Sequence, residues 1–189
     1  MTEWSQKRSV MRRYDLTAQI YDMRYAEEQA AKIEVALENL GSLKLERQSL
    51  VLDDGCGTGL LFSYIADKAG MVVGLDISKK ILDEAKRRSE KFDNVHLVLA
   101  DSDYMPLKDS VFSHVFAITL IQNMPNPGKT LAEAKRVAGE NAVMVVTGLK
   151  KKFPLNIFEG LLRKLNLNII EIRDGDERIK CYVAICTKV

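Results

Sequence analysis

The chain has 189 residues, 47% hydrophobic and 29% charged, a balance ordinary for one globular domain with a single core. A net charge of +2 is too small for a strongly basic nucleic-acid protein, and no apolar run approaches the ~20 residues of a membrane span. The opening MTEWSQKRSV has no apolar leader core and the three cysteines are an odd count, so a cytoplasmic protein without a disulfide framework or membrane contact is expected.

In chain order, Asp15 to Leu40 read as helix, with Ile33, Leu37 and Leu40 on one stripe and Gly41 as a stop. Ser49-Leu50-Val51-Leu52 reads as a buried strand. It runs into Asp53-Asp54-Gly55-Cys56-Gly57-Thr58-Gly59-Leu60-Leu61, from which a helical pattern starts near Thr58. A strand, a glycine-rich turn and a helix N-terminus bring backbone N–H groups up to a ligand, and glycines there allow positive φ and close approach. Cys56 is expected to pack as a small apolar side chain, and Asp54 to cap the turn.

A second strand, Met71 to Asp76, ends in an acid 23 residues after Asp53, near the ~20-residue spacing at which a carboxylate takes ribose hydroxyls. Ser78 caps a helix to about Lys91. A third strand, Val95 to Ala100, ends in Asp101-Ser102-Asp103. Three successive strands thus end in carboxylates at the edge where open α/β sheets bind ligands. Strand four is expected over Phe112 to Leu120, a helix from Pro127 to Val137, strand five over Ala142 to Thr147 and a helix over Leu155 to Leu165. Two final strands, Asn168 to Arg173 and Arg178 to Thr187, flank the turn Asp174-Gly175-Asp176. Cys181 and Cys186 differ in parity and so face opposite sides of the last strand. His96 and His114 both fall in strand-like runs, His114 as a packed or edge residue. No Cys/His spacing fits zinc, so no metal is expected.

A dinucleotide fingerprint would place its third glycine at 60, where the chain has Leu60, which disfavours an NAD-dependent oxidoreductase. Asp53-x-Gly55-x-Gly57-x-Gly59 instead resembles motif I of class I S-adenosylmethionine (SAM)-dependent methyltransferases. ADSDYMPLKDSVFSHVFAITLIQNMPNPGKTLAEAKRV is similar to their later segments, and RRYDLTAQIYDMRYAEEQ to their lead-in helix, over roughly residues 14 to 148. The nearest likeness is to the ubiquinone/menaquinone-biosynthesis-type and RNA-modifying branches. The resemblance implies an α/β Rossmann-like fold: a mostly parallel seven-stranded sheet with a C-terminal antiparallel hairpin and helices on both faces. It also implies one domain over 1–189, with 1–41 as a helical extension or lid and 49–189 as the SAM-binding core. Asp53 would lie near the methionine end of the cofactor, Asp76 would hold the ribose, Asp101 would meet the adenine amine, and backbone around Leu120 would face the methionyl group. Cofactor contacts are expected at Tyr21, Asp53, Gly55, Cys56, Gly57, Gly59, Asp76, Ile77, Asp101, Ser102 and Leu120.

The resemblance leaves the acceptor open. Asn123-Met124-Pro125-Asn126 stands where amino-methyltransferases carry [D/N/S]-P-P-[Y/F/W], so Asn123, Gln122 and Pro125 are the candidate catalytic residues, orienting a planar amine; the alternative is a general family loop. Only six residues, Gly148 to Phe153, join strand five to the next helix, so little but the N-terminal segment can cover the site mouth. An open mouth and the run Lys150-Lys151-Lys152 point to RNA, such as an exocyclic base amine of ribosomal or transfer RNA. A quinone-precursor-like small molecule and a protein side chain are the alternatives. A partner subunit or homodimer completing the site, or a non-catalytic SAM-binding subunit, stays open.

Overall fold

A computed structural model describes residues 2–174 and 179–188, apart from the side chains of Gln19, Tyr21 and Arg24. Seven strands form one sheet: β1 Leu50–Asp54, β2 Met71–Asp76, β3 Val95–Leu99, β4 Phe112–Ala117, β5 Ala138–Leu149, β6 Leu167–Asp174 and β7 Cys181–Lys188. Their order is β3-β2-β1-β4-β5-β7-β6, all pairings parallel except those of β7, which is antiparallel to both β5 and β6. Most of the expected turn Asp174-Gly175-Asp176 lies outside the described residues.

Alternation along the strands supplies a core on each face. Val51, Val72, Val145 and Ile185 meet Ile33 and Ala36 of α2 (Tyr21–Glu38), Phe62 and Ile65 of α3 (Phe62–Ile65), and Leu82 and Ala85 of α4 (Lys79–Ser89). Leu52, Val73, Met144 and Val146 meet Leu131 and Ala134 of α5 (Pro127–Val137) and Phe158 and Leu162 of α6 (Leu155–Lys164). Cys181 belongs to the first core and Cys186 to the second, as their parity requires. Burial pushes both thiols up, to about 11 and about 12.

Four elements differ from the sequence expectation. The N-terminal segment is two helices rather than one starting at Asp15: α1, Glu3–Thr17, then a short 3₁₀ turn and α2. Thr2 caps α1, its hydroxyl accepting from Ser5 N. The helix after the glycine turn is one turn long, because Cys56 to Leu61 are held in successive tight turns with Gly57 and Gly59 at positive φ. β4 stops at Ala117, where Thr119 takes φ +62°. β5 starts four residues early: Ala138 already pairs with Phe112, and a bulge containing Asn141 at φ +58° hides this start in a turn-like sequence.

Candidate functional site

The carboxyl ends of β3, β2, β1 and β4 line up along one edge of the sheet, and a cavity opens there. Its wall includes Asp53, Gly55, Cys56, Gly57, Asp76, Ile77, Asp101, Ser102, Leu120 and Asn123 from the sequence-derived set. Three members of that set are not on it. Gly59 faces the core, where an added Cβ would meet the Phe62 ring at 2.3 Å. Gln122 is buried with its side-chain oxygen unpartnered, and Pro125 stands outside the wall. Tyr21 lies outside the described side chains. Gln29, Ile33 and Thr119 carry no sequence signal as wall residues, because each belongs to a helix face or strand end that only folding brings to this edge.

The glycine turn is fixed from three sides. Gly55 N and Cys56 N both donate to the Leu75 carbonyl, at 2.8 and 2.9 Å. Asp76 accepts from Gly57 N at 3.0 Å and from Ser78 N at 2.9 Å, so one carboxylate braces both the turn and the start of α4. Arg88 of α4 donates to the Thr58 carbonyl at 2.8 Å and pairs with Asp22 of α2, while the Thr58 hydroxyl donates to Asp22 at 2.7 Å. An added Cβ at Gly57 would meet nothing within 4 Å, which leaves backbone open to a ligand on that side.

Acid dominates the electrostatics. Asp53 is buried with one carboxylate oxygen unpartnered; burial pushes its pKa up to about 8, and the nearby Asp76 adds to this. Burial also raises Asp76 against the pull of the N–H groups it accepts from. Asp54 is fully buried and both its oxygens are unpartnered, so it does not cap the turn. Burial pushes it well above the carboxylate range, opposed by Ser102, which stands outside hydrogen-bonding geometry, and reinforced by Asp53, Asp76 and Asp103. Cys56 is buried beside these acids and its thiol is raised well above its ordinary range, which removes it as a nucleophile at neutral pH.

Because the folded protein keeps the Asp54 proton that an unfolded chain loses near pH 4, stability falls as pH rises above that value. Asp54→Asn removes the titration and keeps the shape. In thermal scans without ligand the lead of the Asn variant over the wild type should widen by several degrees between pH 5 and pH 8. An equal gap at both pH values would contradict a neutral Asp54.

The N-terminal helices cover this edge. Lys7 of α1 is 5% exposed; its ammonium lies 2.7 Å from both Asp101 oxygens and 2.5 Å from Asp103 Oδ2. Ser78 donates to Asp15 at 2.5 Å. Asn123 donates to the Tyr14 hydroxyl at 3.0 Å and to the Thr119 carbonyl at 2.9 Å, while its own oxygen accepts from Arg13 at 3.2 Å. Asn123 thus fastens α1 to the loop after β4, on the wall of the cavity. Asn126, at the stacking position of the amine motif, caps α5 by accepting from Lys129 N.

The basic run is tied inward as well. Lys150 pairs with Asp174, and Lys152 donates to the Gln122 carbonyl at 2.5 Å. His114 is packed in the centre of the sheet, its Nε2 3.0 Å from the Leu43 carbonyl and its pKa lowered by burial. Among the described residues no group of acids, histidines and cysteines is placed to hold a metal, and no helix is long and apolar enough to cross a membrane.

A family profile described as "Methyltransferase domain" matches residues 52–146, from β1 through most of β5. The chain belongs to the class I SAM-dependent methyltransferases. It is 32% identical over 150 residues to a malonyl-[acyl-carrier protein] O-methyltransferase of Marinomonas sp. (strain MWYL1), covering 78% of this chain and 54% of the relative. It is 32% identical over 96 residues to a demethylmenaquinone methyltransferase of Tropheryma whipplei (strain Twist), covering 51% of this chain and 40% of that one. It therefore spans about half the length of the curated relatives it matches. The crystal structure of magnesium protoporphyrin IX methyltransferase from Synechocystis PCC 6803 with bound SAM has the same fold, with a TM-score of 0.80 at 15% identity over 97% of each chain.

The cofactor of this methyltransferase family is SAM, and the cavity fits it. A buried, unpartnered Asp53 oxygen suits a ligand carrying ammonium and sulfonium charge, and the open side of Gly57 leaves backbone available to it.

Proposed function

We propose that this chain transfers the methyl group of SAM to a small-molecule acceptor held in the same cavity. One observation carries the acceptor class: beside the acids the cavity wall includes the apolar residues Ile33, Leu60, Leu61 and Ile118, at an edge covered by the N-terminal helices. An RNA acceptor would call for an open mouth and an available basic run. Here α1 closes over the edge, and Lys150 and Lys152 are engaged within the chain. The names of the two relatives, acting on malonyl-[acyl-carrier protein] and demethylmenaquinone, favour the same direction.

In this proposal Asp76 holds the ribose hydroxyls, Asp101 the adenine side and Asp53 the methionyl end, with the 1–41 segment as the cover. SAM supplies an already activated methyl group, so the residues need only bind, orient and exclude water. The apolar residues hold the acceptor body, and α1 and α2 keep water from the reacting atoms. Incubating the purified chain with methyl-labelled SAM and separate small-molecule, RNA and protein fractions tests it. Label should enter the small-molecule fraction. Label in RNA alone overturns the acceptor class, and label in none overturns the activity.

A further inference from the structure

Thr119 departs from ordinary backbone geometry at the point where β4 opens into the cavity. It holds φ +62°, a conformation unfavourable for a β-branched residue that persists only where the surroundings fix it. Four hydrogen bonds do so. Its N–H donates to Thr147 Oγ1 at 2.7 Å, its carbonyl accepts from Asn123 at 2.9 Å, and its hydroxyl joins Lys32 at 3.2 Å to Gln29 Oε1 at 2.8 Å.

An ammonium only donates, so the Thr119 hydroxyl accepts from Lys32, and its own hydrogen goes to Gln29 Oε1. The amide oxygen of Gln29 is thus turned toward Thr119 and its nitrogen away from it. The Gln29 nitrogen, with two N–H donors, is left without a partner among the described residues, on a side chain only 8% exposed that lines the cavity. Lys32 is itself 2% exposed and neutralised by Glu28 at 2.8 Å, so this wall offers donors without net charge.

We propose that Gln29, aimed by Thr119 and Lys32, recognises a carbonyl oxygen of the methyl acceptor. Gln29 touches the acceptor; Thr119 and Lys32 are positioning residues. The inference rests on the small-acceptor proposal above and narrows it to molecules joining a carbonyl group to an apolar body. A neutral donor pair selects such an oxygen over a phosphate, which would demand cationic partners.

The test uses 1-tetralone and its hydrocarbon counterpart tetralin as probes, titrated by NMR into the full chain saturated with S-adenosylhomocysteine. Tetralone should bind about tenfold more tightly, the worth of one buried hydrogen bond, and should shift the Gln29 side-chain amide resonances of the wild type. Gln29→Leu and Thr119→Val should abolish the preference, Thr119→Ser should keep it, and S-adenosylhomocysteine affinity should stay within about twofold throughout. Equal binding of the two probes, no binding of either, unmoved Gln29 resonances, or a preference surviving Gln29→Leu overturns the assignment. A wild type that fails to bind S-adenosylhomocysteine overturns the cofactor site itself, which is a separate failure.

Discussion

Asp76→Ala should weaken SAM binding by roughly a hundredfold, the loss of about 3 kcal/mol expected when charge-assisted hydrogen bonds to a ligand disappear. Two effects add. The ribose acceptor proposed here goes, and so does the brace that receives Gly57 N and Ser78 N. The second effect is also structural, so thermal unfolding of the ligand-free variant should be measured beside calorimetry of SAM. A folded Asp76→Ala protein with wild-type affinity would remove Asp76 from the site.

Cofactor affinity should also rise steeply with pH. Burial and Asp76 hold Asp53 at a pKa of about 8, so the ligand-free site is largely protonated at pH 6. A bound cation about 4 Å away would contribute about 4 kcal/mol at an effective dielectric of ~20, enough to keep Asp53 ionised down to roughly pH 5. Binding below pH 8 must then expel a proton, and SAM affinity at pH 6 should be roughly fiftyfold lower than at pH 8. Calorimetry in buffers of different ionisation enthalpy would show the released proton directly. In Asp53→Asn the slope should disappear. Affinity independent of pH between 6 and 8 would contradict a cationic group beside Asp53.

The sheet was legible because its signals are local. Apolar runs ending in Asp53, Asp76 and Asp101 mark three parallel strands, and Ser78 and Pro127 mark helix starts that the structure places at those residues. α1 was not, for a physical reason. EWSQKRSVMRRYDLT has no apolar stripe to read, and the contacts described for it are largely ion pairs and hydrogen bonds to Asp101, Asp103, Ser78 and Asn123, 63 or more residues away. Lys7 could be counted as part of a basic cluster, but nothing in the sequence announces a buried ammonium. The acceptor wall was hidden in the same way. Gln29 and Lys32 look like solvent positions on a helix, and only the contact with Thr119, 87 or more residues on, makes them part of a site. The loop of Asn123 resembles an amine-binding motif, but that likeness does not show its partners Arg13 and Tyr14, which lie about 110 residues earlier in the lead-in helix.

A crystal structure of the chain with S-adenosylhomocysteine tests the central claim most directly. The nucleoside should lie between Asp76 and Asp101, the homocysteine chain along Gly55 and Asp53, and the sulfur should face the wall of Gln29, Ile33 and Thr119. Ligand bound elsewhere on the chain, or lying in the cavity with its sulfur turned away from that wall, would contradict the claim.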